Sequence, residues 1–406
     1  MDPITHGIAG ALIGKGFFSR RHARVAIFAA TLGAVFPDVD MIAVYNSKDL
    51  FSLMRYHRAF THSFFGLPLF AALFAWLTRL FIELLAESKS KAELRSPSFF
   101  ALFLIYSAGI GSHDILDATT YFGTLLWYPI SSDRVAWDYL FVVDFTLTAL
   151  VLLPQAIAWI HNRSRGWLIR GSTAWGVLTI LTFGVRALAD TYGFAFPLRA
   201  VIICSLLFAI PFFSPALNGF GIRFGRARWC QAGFYVACAY IFLCGLAHYA
   251  AMARVRSFAS NRGLVVEKLG ALPLPPSLLD WNGLIETRSG VYQSEFSLIR
   301  SSAPAFRFFA NSRVNRFTEE AAALKPVETL LWSGRFVVMR FVQRGSENFV
   351  VYGQPPYYTG GSQAVLTFSF DVEFDPQGKL IDLGWIPPGS DLRHVSVTPA
   401  SQGSSP

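Results

Sequence analysis

Apolar stretches, several as long as a membrane-crossing helix, follow one another through the chain up to residue 253. A helix needs roughly 20 such residues to cross the hydrocarbon layer. Phe64–Leu85, Phe99–Leu116, Tyr139–Ile160, Trp167–Leu188, Pro197–Phe213 and Trp229–Ala250 are the clear segments. Ile4–Phe18 and Val25–Phe36 are shorter, and fit either bundled spans or a re-entrant hairpin shielded by protein. Of the 406 residues 53% are hydrophobic and 15% charged, against roughly 25% charged in an average soluble domain. So apolar a chain, folded in water, has too little polar surface to cover itself. The expected fold is an all-α polytopic membrane bundle of about six to eight segments, followed by a small β-rich extracytoplasmic domain.

Charge placement orients the bundle. Arg20, Arg21 and Arg24 follow the first segment, and Lys89, Lys91 and Arg95 the third. Arg163, Arg165 and Arg170 follow the fifth, and Arg223, Arg226 and Arg228 the seventh. The intervening loops are poorer in cations: 119–138 carries only Arg134, although 37–63 carries Lys48, Arg55 and Arg58. Basic loops stay in the cytoplasm, which leaves both termini outside. The net charge of +9 is thereby explained by topology. The bilayer is the expected partner, and no nucleic acid is expected.

After Ala250 the pattern changes. Pro273-Leu274-Pro275-Pro276 reads as a stiff linker. Beyond it, Gly290–Ile299, Arg335–Gln343, Asn348–Gly353, Ala364–Phe374 and Lys379–Trp385 read as strands, the last two joined by the turn residues Asp375-Pro376-Gln377-Gly378. The expected division is a helical membrane domain over 1–253, a connector over 254–272, a β-rich soluble domain over 273–397 and a disordered tail over 398–406.

The topology drawn from cations alone brings a second set of residues to one membrane face. His6 opens the first segment, Asp38 and Asp40 close the second, His57 and His62 precede the third, and His113 and Asp117 end the fourth. His113 and Asp117 are four residues apart, so on a helix both reach one point. Asp38 and Asp40 on an extended turn point to one side and can hold or bridge metals. Imidazole with carboxylate suits Zn²⁺, and Mn²⁺ or Fe²⁺ less specifically. Arg58 carries the planar fork that suits a phosphate. Ionisable residues at membrane depth are costly and mark function. Asp144, inside an apolar run, reads as the partner of an arginine or as a carboxylate orienting a histidine. His161, in a basic loop, reads as solvated.

The order Thr5-His6-Gly7, Pro37-Asp38-Val39-Asp40, His57-Arg58-x-x-Thr61-His62-Ser63 and Ser112-His113-x-x-x-Asp117 resembles the YdjM-like family. Those are inner-membrane proteins described as metal-dependent hydrolases. The resemblance covers roughly residues 1–160 and leaves out the C-terminal domain. It implies a multi-pass protein of the inner (cytoplasmic) membrane. A more distant likeness joins the pattern to zinc-dependent phospholipase C and P1-type nucleases. That likeness implies His6, Asp38, one of His57 or His62, His113 and Asp117 as ligands. The chain lacks a later His-x-x-x-Glu pair and an N-terminal tryptophan, so one or two metals are expected rather than three.

The resulting expectation is a membrane-bound hydrolase using a divalent metal, zinc ahead of manganese, on a phosphoester or lipid-linked substrate at the extracytoplasmic face. Its metal ligands are drawn from His6, Asp38, His57, His62, His113 and Asp117. Asp40 orients water or bridges ions, and Arg58 holds the substrate anion. The alternative is a non-catalytic membrane protein, either a metal sensor or an anchor for the C-terminal domain.

Overall fold

The computed structural model describes residues 1–45, 51–89, 97–162, 165–191, 197–221, 224–275, 277–300, 304–355, 366–386, 390–393 and 397–399. Lys48, Lys91, Arg95, Arg163 and Arg223 of the cation pattern, Pro276 of the linker and most of the tail lie outside the described residues.

The N-terminal half is helical: α1 Pro3–Phe17, α2 Ser19–Val35, the short α3 Asp40–Tyr45 and α4 Ser52–Tyr56, α5 Gly66–Lys89, α6 Phe99–Ala118, α7 Phe145–Ile160, α8 Trp167–Thr191, α9 Leu198–Phe213 and α10 Arg226–Asn261. Among the described residues six helical stretches are long and apolar enough to cross a membrane: Ala23–Ile42, Gly66–Leu85, Phe99–Ala118, Trp167–Ala187, Leu198–Ala216 and Arg226–Asn261. Large apolar side chains such as Phe81, Ile180, Ile210 and Phe242 point outward from them, as a lipid-facing surface requires.

Two segments differ from the sequence expectation. The second run reaches spanning length because α2 continues through a 3₁₀ turn at Phe36–Val39 into α3. The run expected over Tyr139–Ile160 is helical only from Phe145, because Asp144 caps α7 by accepting from Leu147 N at 2.9 Å. Asp144 also accepts from Tyr240 Oη at 2.9 Å and from Ser277 Oγ. Its partners are hydroxyls and a backbone amide, so it pairs with neither an arginine nor a histidine among the described residues. His161 is buried rather than solvated, its Nε2 3.1 Å from Pro211 O.

Two glycines set the spacing of α1, α2 and α6. A Cβ on Gly10 or on Gly109 would lie 2.5 Å from Ala30 O. Both neighbouring helices therefore close on one backbone carbonyl of α2, an approach only glycine permits. This contact fixes α1 and α6 one turn from His6 and His113, on either side of the helix that leads into Asp38.

The C-terminal half holds two antiparallel sheets. Strands β1 Lys268–Leu274, β2 Asp280–Thr287, β3 Gly290–Ser297, β4 Arg307–Ala310 and, last in the chain, β9 Val397–Pro399 form the first. Strands β5 Val338–Arg344, β6 Glu347–Gln354, β7 Thr367–Phe374 and β8 Leu380–Trp385 form the second. Helices α11 Arg316–Ala322 and α12 Lys325–Ser333 lie between β4 and β5. The expected hairpin is present as β7 and β8. The expected linker is not: Pro273 and Leu274 pair with Trp281 and Asp280 as the end of β1. Helix α10 runs on to Asn261 and buries Ala251 and Val255 against Trp281 and Ile285. The sheets thus continue a membrane helix directly.

The β region also rests on the loop after α6. Arg335 grips Asp138 with two bonds of 2.6 and 2.8 Å, and Tyr121 Oη donates to Gln354 Oε1 at 2.9 Å. Phe51 packs edge-on against Phe370.

Candidate metal centre

The chain folds two separate turns onto the last turns of α6. Helix geometry puts His113 and Asp117 on one face, and His113 Nε2 lies 3.4 Å from Asp117 Oδ2. The 3₁₀ turn that ends α2 presents Asp38. A second 3₁₀ turn, Phe60–His62, presents His62. Donor atoms of Asp38, His62, His113 and Asp117 all lie within 4.8 Å of one another. His62 and His113 Nε2 are each 3.6 Å from Asp38 Oδ1, and His62 Nε2 is 3.5 Å from Asp117 Oδ2. A tetrahedral ion with bonds near 2.1 Å holds its ligand atoms roughly 3.4 Å apart. The donor set and its spacing fit a divalent ion of the zinc kind.

Hydrogen bonding fixes which nitrogens are free. His113 Nδ1 lies 2.7 Å from Ala34 O, a pure acceptor, so Nδ1 carries the proton and Nε2 a lone pair. His62 Nδ1 faces Asp40 Oδ2 at 3.3 Å and Thr61 Oγ1 at 3.0 Å. The two Nε2 atoms then face each other at 3.0 Å. In the metal-free chain the proton that His62 carries bridges the two nitrogens, and an ion taken between them would replace that proton. Asp117 Oδ2, buried, accepts no well-aligned hydrogen bond among the described residues. Histidine held by a carboxylate or carbonyl on its far nitrogen is how metal-binding imidazoles are oriented.

Electrostatics reinforce the arrangement. Burial disfavours a charged His62, but hydrogen bonds to Asp38 and Asp40 and the charge of Asp117 outweigh it and raise its pKa to about 9. Asp117 is balanced by Arg58, whose Nε lies 3.0 Å from Oδ2, and by the amino group of Met1 at Oδ1. Arg58 is itself buried, with Nη1 donating to Gly123 O at 3.0 Å and Thr120 Oγ1 at 3.3 Å.

Of the eight residues expected from the sequence, the structure brings Asp38, His62, His113 and Asp117 into one group. His6 stands beside them: it stacks on His113 with ring centroids 3.7 Å apart and its Nε2 is 3.2 Å from the other oxygen of Asp117. His57 is not one of the four donors: its ring lies edge-on to His62 with centroids 5.7 Å apart, and its Nδ1 bonds Asp40 Oδ1 at 2.8 Å. Asp40 collects His57, Arg58 N at 2.9 Å and Thr61 Oγ1 at 3.0 Å. It is thus a hub behind His62, and does not share a group with Asp38. Arg58, expected to face a phosphate, is turned onto Asp117. Sequence reasoning missed Thr61 and the Ala34 carbonyl, the second of which has no residue-type signal. It also missed Asp114, which is buried and has neither oxygen hydrogen-bonded among the described residues.

Residues 1–193 match the family model described as YdjM inner membrane protein. The match contains every residue of the centre and stops before the β region. Together with the six apolar helices it describes a multi-pass inner-membrane protein. No curated protein and no solved structure matches the chain. The more distant likeness to phospholipase C and P1 nuclease has no support beyond the order of residues.

Proposed function

We propose that the chain is a membrane-bound metal-dependent hydrolase, acting on a phosphoester or lipid-linked substrate at the extracytoplasmic face. The supporting observation is the pair of facing Nε2 atoms at 3.0 Å, closed by two carboxylates and held from behind by Asp40 and Ala34 O. Asp38, His62, His113 and Asp117 would hold the ion. A divalent ion held there would supply Lewis acidity, to polarise a scissile group and activate water near neutral pH. Asp40 keeps His62 in the required tautomer and anchors His57. His57 is the most accessible imidazole of the set, with its Nε2 turned away from Asp40, and it moves the proton at that atom. Arg58 neutralises Asp117, and in meeting a substrate anion it exchanges part of that pairing.

A non-catalytic reading has one observation in its favour. Four protein donors fill a tetrahedral shell, as in structural zinc sites, whereas catalytic sites keep one position open. Asp38 is the only one of the four that is not fully buried, so it is the position where the two readings part. The test is hydrolysis of chromogenic phosphoesters and of phospholipids by zinc- or manganese-loaded protein in vesicles. The hydrolase reading expects turnover that disappears in His113→Ala with the metal, and in His57→Ala with the metal retained. Full metal loading with no turnover on any of these substrates contradicts it. Protease accessibility of the C-terminal domain in sealed vesicles checks the assigned face.

A further inference from the structure

A furrow of about 570 Å³ runs between α1, α2 and α7, within the size range of small-ligand sites. Ile4, Gly7 and Ala11 of α1, Thr31 of α2, and Ala156 and Trp159 of α7 line it. From Pro3 to Lys15 it follows α1 for ~18 Å. The wall is apolar and small where the residues are glycine and alanine, and Ile4 and Trp159 are exposed along it. It therefore faces the lipid side of the bundle.

One end is polar. Lys15 lines the furrow and donates to Gln155 Oε1 at 2.7 Å. The Gln155 amide is spent on Ile8 O at 2.9 Å and Val151 O at 2.7 Å, so its oxygen is held toward the lysine. Among the described residues the side-chain partners of Lys15 include no carboxylate, and an ammonium has three donors to place. Arg226, which opens α10, lies within electrostatic reach of Lys15. Arg20, Arg21 and Arg24 follow in the sequence. A cation with no carboxylate partner among the described residues is costly in an apolar wall at membrane depth, and an anion from outside the chain would lower that cost. Basic pockets between membrane helices take anionic headgroups, and the apolar furrow beyond takes a chain.

We propose that this furrow is a binding site for one anionic phospholipid of the leaflet facing the α1–α2 turn, its phosphate on Lys15, the first carbons of an acyl chain beside Trp159, and the rest of that chain along Ala11 and Gly7. The site is independent of the metal centre.

Trp159 gives a direct readout. The full-length protein is reconstituted with tail-brominated phosphatidylglycerol or phosphatidylcholine of the same chain length. The Trp159 signal is taken as the difference from Trp159→Phe, since the chain has 10 tryptophans. The expected result is half-maximal quenching at a several-fold lower mole fraction of the glycerol lipid. Lys15→Gln removes that preference, Lys15→Arg keeps it, and Ala11→Phe, which fills the furrow, abolishes the quenching. Equal half-maximal fractions for the two lipids in the unmodified protein overturn the proposal and leave only ordinary boundary lipid. A glycerol-lipid preference that survives Lys15→Gln overturns it as well.

Discussion

Replacing Gly109 by alanine adds one methyl group at the close contact of α6 with α2 near the metal centre. That methyl carbon would stand 2.5 Å from Ala30 O, 3.0 Å from Ala34 N and 3.1 Å from Gly33 Cα. Ordinary contact begins at 3.4 Å, so α2 and α6 must separate by about 0.9 Å. Ala34, one of the residues pushed, carries the carbonyl that orients His113 at 2.7 Å, and Asp38 follows on the same strand of chain. Binding sites tolerate displacements of only about 0.5 Å. The expected loss of zinc affinity is about 10–100-fold, the range for a disturbed supporting shell. Overpacking costs about 1–3 kcal/mol and improved helix propensity returns up to about 1, so melting temperature falls modestly. Competition with a chromogenic chelator in detergent reads the affinity. Gly111→Ala is the control, because on the same helix its methyl meets only Leu67 Cδ1 at 3.4 Å. Wild-type affinity in Gly109→Ala, or equal losses in both variants, would refute the link between helix spacing and the centre.

Three further outcomes are expected. The proton on His62, with a pKa of about 9, competes with the metal, so zinc affinity falls about tenfold for each pH unit below 9. In the metal-free protein the same raised pKa stabilises the fold fully below pH 6.5, and that contribution is lost as the pH climbs to 9. Titrations of affinity and of melting temperature should therefore run in opposite directions, and a pH-independent affinity between 6.5 and 8.5 counts against the assignment. Asp40→Asn keeps the fold but frees His62 and His57 together, so zinc affinity should drop about 10–100-fold by the same chelator assay. Arg335→Ala strands the buried Asp138 carboxylate, which should destabilise the protein by about 1–3 kcal/mol; thermal unfolding checks this, and Asp138→Asn in the same chain, which removes the charge and suits the left-handed backbone there, should recover part of the loss.

The membrane helices and the four donors were legible in the sequence because their signals are local. Long apolar runs declare spans, and the i, i+4 spacing of His113 and Asp117 holds once α6 is a helix. The roles of Asp40 and His57 were not legible. An Asp-x-Asp pair on an extended turn would share one side, but Asp40 starts α3 after a 3₁₀ turn and points to His57 instead. His57 and His62 stay in edge-on contact on either side of Asp40, with Arg58 in a left-handed backbone, φ 63°, between them, so only His62 joins the donor group. In the C-terminal half the longer strands with β-branched or aromatic character, β3 and β5 to β8, were found. Strands β1, β2, β4 and β9 were missed: Pro273 reads as linker chemistry, Asn282-Gly283 interrupts the β-branched and aromatic pattern, β4 is only four residues long, and Thr398 and Pro399 of β9 fall in the expected disordered tail. What holds Pro273 and Asn282 in strands is their pairing and the packing of Trp281 and Ile285 on α10. The contact of Arg335 with Asp138 joins residues far apart in the chain, and no local pattern announces it.

The central claim is that Asp38, His62, His113 and Asp117 hold one divalent ion while His57 does not. Elemental mass spectrometry of detergent-purified protein, after exposure to zinc and removal of loosely bound metal, measures this directly. Close to one ion per chain is predicted for the unmodified protein and for His57→Ala, with loss in His62→Ala, His113→Ala and Asp117→Ala. No bound ion in the unmodified protein, or an undiminished ion content in His113→Ala, would contradict the account.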